Sequence, residues 1–347
     1  MIVIARARAR FRCALAVIAT IAFATHAPCA RAQATLEVYH DHGDLVLDVG
    51  PTDLPANTMH DMIHQPPVVS HVVGMDGWIH GYRVEIVDSA GNPLTQRLLH
   101  HLTVIDPQAR ELFSPKMLRI AAAGSETGPV NMPRVLGLRV SPTDSLLVDV
   151  MLHNPTDQAY HGVHVRVRMP FTSTGSLVPT VSIYPFTLEA TPPVMSTHAF
   201  DLPPGRSEHY WEGKPAVGGR LLGASGHLHK YGVELRLEDR TAHRVLWSVK
   251  PDTDSTGEIR SIPFGNFVWK FGLAIDPDHV YRLTAVYDNP TDTTIVDGGM
   301  GILGGVFRLT GQEPWPPVDR TNAEYEYDVK ETWRKNQMNG VGMHMPH

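Results

Sequence analysis

The tetrapeptide Asn-Pro-Thr-Asp occurs twice, at residues 154–157 and 289–292, and each copy follows a pair of histidines by roughly 50 to 60 residues. The first pair is His100-His101 and the second is His227-Leu228-His229. A tight turn and paired imidazoles recurring at nearly constant spacing predict a duplicated architecture, with two related domains facing each other. A metal-binding sandwich is the simplest unit that such a repeat describes.

The local pattern makes that unit all-β. The chain holds 29 Gly and 28 Pro, and its apolar residues fall in short alternating runs between turn signals instead of stripes at helical spacing. Residues 82–88 (YRVEIVD) read as a strand closed by Ser89-Ala90-Gly91-Asn92-Pro93. Val163, Val165 and Val167 alternate with polar neighbours, and Val233, Leu235 and Leu237 repeat the device in the second half. Leu146, Val148, Val150 and Leu152 form one apolar face, which leaves Asp149, Met151 and His153 on the other. One helix is expected, over residues 322–336. The architecture that follows is two antiparallel, jelly-roll-like β-sandwiches, over 35–178 and 179–311, with a tail over 312–347. Pro179, Pro185, Pro192, Pro193, Pro203 and Pro204 mark the linker between them.

Residues 1–34 carry a basic stretch (Arg6, Arg8, Arg10, Arg12), an apolar run over 13–24 and small residues at Ala30, Ala32 and Ala34. They read as a secretory signal peptide, which predicts a secreted or periplasmic protein whose mature chain begins near Gln33 or Thr35. The apolar run is too short to span a bilayer. Both cysteines, Cys13 and Cys29, lie in that segment, so the exported chain is expected to hold neither disulfides nor thiolate metal sites. Its five arginines leave with it, which moves the formal net charge from −6 to about −11 and argues against a nucleic-acid partner.

The chain has 20 histidines, and for most of them, His164, His209, His243 and His279 included, a solvated or turn position is sufficient. Spacing singles out the others. His227 and His229, two apart on a strand, project from one face, as ligands held about 2 Å from a metal must. Continued alternation would set them beside Val233 and Leu235 as core imidazoles, unless a bulge at Gly232 re-aims the strand. His100 and His101 are adjacent, so a regular strand points them to opposite faces and a shared ion requires a local bulge. Two further runs, Met59-His60-Asp61-Met62-Ile63-His64 and the tail 338–347 with Met343, His344, Met345 and His347, are either soft copper-ligand segments or unstructured loops.

Four segments occur in an order and at a spacing that resembles the type II copper, ascorbate-dependent monooxygenases, the family of the peptidylglycine α-hydroxylating and dopamine β-monooxygenases. They are LLHHLTVI (98–105), LLVDVMLHNP (146–155), GASGHLHKYG (223–232) and YDNPTDTTIVDGGMGILGG (287–305). The resemblance implies two copper ions, one per sandwich, across a solvent-filled cleft, with an external electron donor such as ascorbate. His100 and His101 match the pair of the electron-transfer copper, and His227 and His229 match the pair of the oxygen-activating copper. The third ligands depart from the family. Met151 stands at the family's histidine position and His153 two residues later; three-nitrogen coordination favours His153. Val306 stands where the family has its ligand methionine, and Met300 is the nearest sulfur; it is either that ligand from a shifted position or a packed core residue. Ser225 replaces the arginine that binds a peptide carboxylate, so a peptidylglycine substrate is not supported.

The function expected is an exported copper-dependent monooxygenase that hydroxylates an aliphatic carbon of a small organic substrate with dioxygen and an external reductant. The alternatives are a copper-binding or copper-buffering protein without turnover, and a β-sandwich binding module with structural histidines. Zinc hydrolysis is weaker, because no acidic general base adjoins either histidine pair in a recognisable motif.

Overall fold

Val163, Val165 and Val167 are buried completely, whereas His164, Arg166 and Arg168, which alternate with them, are not. One face of their strand therefore joins a core and the other a polar layer, with Asp48 accepting from His164 Nδ1 at 2.8 Å and from Arg166 Nε at 2.6 Å. The computed structural model describes residues 34–57, 66, 68–192 and 198–337. The predicted signal segment before residue 34, the run 59–64 and the Met/His tail from 338 lie outside the described residues.

The first sandwich pairs two sheets. One contains β1 (Thr35–Asp41), β2 (Asp44–Leu54), β4 (Gly77–Ile79), β5 (Gly81–Val87), β8 (Val130–Asn131), β9 (Leu136–Val140), β11 (Tyr160–Ser173) and β12 (Val181–Ser182). The other runs in the order β3 (Val69–Val72), β10 (Ser145–Leu152), β6 (Leu99–Arg110) and β7 (Met117–Ala123). Leu45, Leu47 and Val49 of the first sheet pack with Leu102, Val104, Leu146, Val148, Val150 and Leu152 of the second. The even-numbered apolar face expected of β10 is thus the core face.

The second sandwich repeats the plan. One sheet contains β13 (Tyr184–Glu189), β14 (Ala199–Leu202), β16 (Gly219–Leu228), β21 (Gly265–Asn266), β22 (Leu273–Ile275) and the long β24 (Ile295–Leu309). Its partner runs β15 (Gly205–Gly213), β23 (Tyr281–Asn289), β17 (Gly232–Asp239), β18 (Arg244–Val249), and a separate ribbon joins β19 (Asp252–Thr253) to β20 (Ile259–Ser261). Phe186, Leu221, Leu228, Leu303 and Phe307 meet Leu235, Leu237, Leu283 and Tyr287 between the sheets. The proline-rich stretch is more than a linker. Val181–Ser182 still pairs with the first sandwich, Tyr184–Glu189 already pairs with β24, and Pro185 is tolerated because β13 is an edge strand.

The duplicated tetrapeptides are the same device in both sandwiches. Asn154 Nδ2 donates to the carbonyls of Leu54, Pro55 and Gln158, and its Oδ1 accepts from the backbone and hydroxyl of Thr156. Asn289 makes the matching five bonds to Leu202, Pro203, Thr293 and Thr291. Each asparagine is buried and closes its turn onto a Leu-Pro pair at the end of a neighbouring strand.

The helix α1 (Ala323–Gln337) lies one residue from the predicted span. Asn322 caps it, its side chain accepting from Glu324 N at 2.9 Å. Tyr325, Val329 and Trp333 pack on Ile105, Met117 and Leu147 of the first sandwich. Beside them Asp328 takes a bidentate pair of bonds from half-buried Arg119. Among the described residues no helix is long and apolar enough to cross a membrane.

Candidate metal centre

Adjacent histidines can share an ion only if the strand is irregular, and β6 is irregular at that point. His101 faces Met151 across the β6–β10 pairing while Leu99 faces Leu152, so His100 is the inserted residue of a bulge. The bulge turns both imidazoles to one side, where their rings stack with centroids 4.2 Å apart. His153 follows directly on β10, its ring 5.2 Å from that of His100. Met151 is opposite His101 and thus on the same face of the sheet.

His227 and His229 leave the second sandwich on its outer side. Leu228 between them is core, and Gly226 before them has its Cα against Leu235 and the Ile302 carbonyl, where a side chain would clash. The expected alternation into Val233 and Leu235 does not continue. The chain turns at Lys230-Tyr231, with Tyr231 at φ 68°, and β17 opens in the other sheet with a bulge between Gly232 and Glu234. The two imidazoles therefore project away from that core, towards the first sandwich.

The two histidine sets meet. Ring centroids of His101 and His227 are 5.0 Å apart, those of His227 and His229 5.1 Å, and His229 lies 5.8 Å from His101 and 6.3 Å from His100. One nitrogen from each of His101, His227 and His229 falls within 4.8 Å of the others. The resemblance implied two separate centres across a cleft; here the outer face of the β13–β24–β16 sheet abuts the end of the β10–β6–β7 sheet directly.

Glu126, which nothing in its local sequence singles out, completes the cluster. It stands in the turn after β7, where Thr127 bonds Gly124 in both directions and a side chain on Gly124 would collide with the Glu126 carboxylate. Glu126 Oε1 lies 2.6 Å from His227 Nδ1. Burial works to raise this carboxyl, but the neighbouring His227 and the bond between them outweigh it and hold the group below the usual carboxylate range. Engagement of Nδ1 leaves Nε2 of His227 as the ligand atom, and this nitrogen is buried with no hydrogen-bond partner among the described residues. Burial, then the surrounding imidazoles, push His101 well below the ordinary histidine value, so its lone pair is available at neutral pH. A half-buried set of three imidazole nitrogens fits a borderline transition metal such as copper or zinc.

Tyr287 links the sulfur candidate to the histidines. Its buried hydroxyl accepts from the backbone N–H of His229 and of Met300, both at 3.0 Å, and donates to the Met300 carbonyl. Burial raises its ionisation far above neutrality, so it keeps the proton it donates. Register places Met300 beside His229, since Leu228 pairs with Gly301 and His227 with Ile302. Met300 is buried, 8% exposed. Val306, opposite Gly223, lies further along β24. The same face carries Glu189, opposite Ile302, which accepts from His198 at 2.6 Å and from Lys116 at 3.4 Å across the seam.

Of the other histidines, His164 and His279 pair with Asp48 and Asp239, His209 stacks on Phe200, and His243 occupies a turn at φ 53°. No family model matches the chain, and no curated protein matches it. Among solved structures the chain is similar to the mavirus major capsid protein, with 9% identity over 86% of this chain and 93% of that one and a TM-score of 0.19. A likeness at that level assigns neither ligand nor activity.

Proposed function

We propose that the protein is a copper-dependent monooxygenase, exported from the cell, that hydroxylates an aliphatic carbon of a small organic molecule with dioxygen and an external reductant such as ascorbate. The convergence of His101, His227 and His229 within 4.8 Å, contributed by both sandwiches, is the observation that carries the proposal. Copper bound there would supply the one-electron chemistry and oxygen activation that side chains lack. The chain's own part is positional. Glu126 fixes the tautomer and orientation of His227, the β6 bulge aims His100 and His101 together, and Tyr287 ties the backbone of His229 to that of Met300. His153 and Met300 are the residues that would extend the donor set at either side.

A copper-binding role without turnover is the second possibility, favoured by the contact between the two histidine sets, whose rings approach to 5.0 Å. One experiment separates the two. The unit Gln33–His347 is titrated with copper, and oxygen consumption is followed with ascorbate present. Copper binding that is lost in His101→Ala and His227→Ala, together with ascorbate-dependent oxygen uptake, is the expected result. Binding without oxygen uptake leaves the buffering role; failure to bind copper overturns both.

A further inference from the structure

Four exposed large apolar side chains fall in one turn of the second sandwich, Phe264 at 53%, Val268 at 46%, Trp269 at 89% and Phe271 at 85%. Such clustering on a surface calls for a partner. The turn is held in place: Phe267 N–H bonds Leu222 O, and Lys270, Phe271 and Gly272 bond back to Phe267 and Val268. Strand pairing of Gly265-Asn266 with Gly223-Ala224 anchors its base.

Folding does not explain this display. Phe271 sits at φ 57°, the left-handed conformation that glycine adopts freely and a bulky side chain adopts at a cost. Its ring recovers nothing through burial. A strained, exposed aromatic beside an exposed tryptophan points to an apolar phase outside the chain. Charge narrows the choice. Lys270 is the only charged residue from 262 to 274, and Arg220 reaches the turn by donating to Gly272 O at 3.2 Å. The tip is thus cationic and free of carboxylates on a chain of formal net charge −6.

We propose that the turn 264–271 is a membrane-docking tip that places Trp269 and Phe271 in the interfacial layer of an anionic phospholipid surface. Tryptophan suits that layer because its ring is apolar and its N–H remains hydrated, while Lys270 extends to the headgroups. The inference is independent of the metal centre, although β16 joins the two, since Phe264 lies over Gly223 of the strand that leads into His227 and His229.

The test measures partitioning of the unit Gln33–His347 onto phosphatidylcholine vesicles and onto vesicles containing phosphatidylglycerol. Association is expected to favour the anionic vesicles, and acyl chains carrying bromine should quench Trp269 fluorescence. Trp269→Ser with Phe271→Ser should lower the partition coefficient on the order of a hundredfold, and Lys270→Gln about fivefold on anionic vesicles alone. Phe271→Gly should lose binding with an unfolding midpoint equal to or above the parent's, which excludes misfolding as the cause. The proposal is overturned if the parent partitions onto neither vesicle, or if the double serine variant binds as the parent does. It is also overturned if that variant instead abolishes self-association, which would assign the tip to a second copy of the chain.

Discussion

Glu126→Gln keeps an acceptor of the same length beside His227 Nδ1 and removes only its charge. The bond is 2.6 Å long between side chains that are 9% and 19% exposed, so solvent screens it little. Charge-assisted hydrogen bonds contribute about 1.5–3 kcal/mol and neutral ones about 0.5–1.5; the exchange should therefore cost the metal-free fold about 1 kcal/mol. Glu126→Ala also strands a buried ring nitrogen, for about 1–3 kcal/mol. Towards copper, loss of the group that orients a ligating imidazole should weaken affinity about 10- to 100-fold, Gln near the lower end and Ala near the upper. Competition titration of Cu(I) against a chromophoric chelator measures the second effect, and urea unfolding without metal measures the first. If both variants hold copper as tightly as the parent while unfolding more easily, Glu126 braces the seam between sandwiches and has no part in the centre. A weaker effect for Ala than for Gln would refute the reasoning from orientation.

Tyr287→Phe removes three hydrogen bonds to His229 and Met300 backbone in a buried site, so thermal unfolding should register a loss of about 2–4 kcal/mol. Asn154→Ala and Asn289→Ala delete matching sets of five bonds and should destabilise by similar amounts, about 2–4 kcal/mol each by denaturant titration. A loss at one site and none at the other would show that the duplication is geometric without being energetic. Burial, and then Asp144, raise the Asp106 carboxyl from 3.8 to about 6. Folding then favours its protonated form: the contribution is complete below pH 3.8, fades through pH 6 and is absent above. Asp106→Asn, which still accepts from Gln108 N–H, should stabilise the fold at pH 7 by about 1–2 kcal/mol and not at pH 4. Parallel stability–pH curves for the two proteins would contradict this.

Alternation, the Asn-Pro-Thr-Asp turns and the late helix were legible because each depends on neighbours within a few residues. Val163 to Val167 had to bury one face, and residues 322–336 offered the one helical run, whose Asn322 cap came from the fold. The halves themselves were legible because the same tetrapeptide recurs in each; that both copies bond a Leu-Pro pair, Leu54-Pro55 and Leu202-Pro203, came from the fold. The need for a bulge at His100-His101 was also legible, since adjacent residues on a regular strand diverge. Its presence was not, because a bulge is a property of the pairing between β6 and β10.

The sequence by itself determined that the chain is all-β, built as two sandwiches, and that each half carries a pair of histidines close in sequence. Only the tertiary structure decided that the pairs adjoin, that Glu126 orients His227 from the opposite sandwich, and that Tyr287 binds His229 to Met300. The contacts of Glu126 and Tyr287 join residues 13 to 101 positions apart in the chain, those between the histidine pairs join residues further apart still, and no periodicity reports which outer face of one sandwich rests on which end of another. Across that seam Lys116 meets Glu189 at 3.4 Å, a contact that forms only when both sandwiches exist.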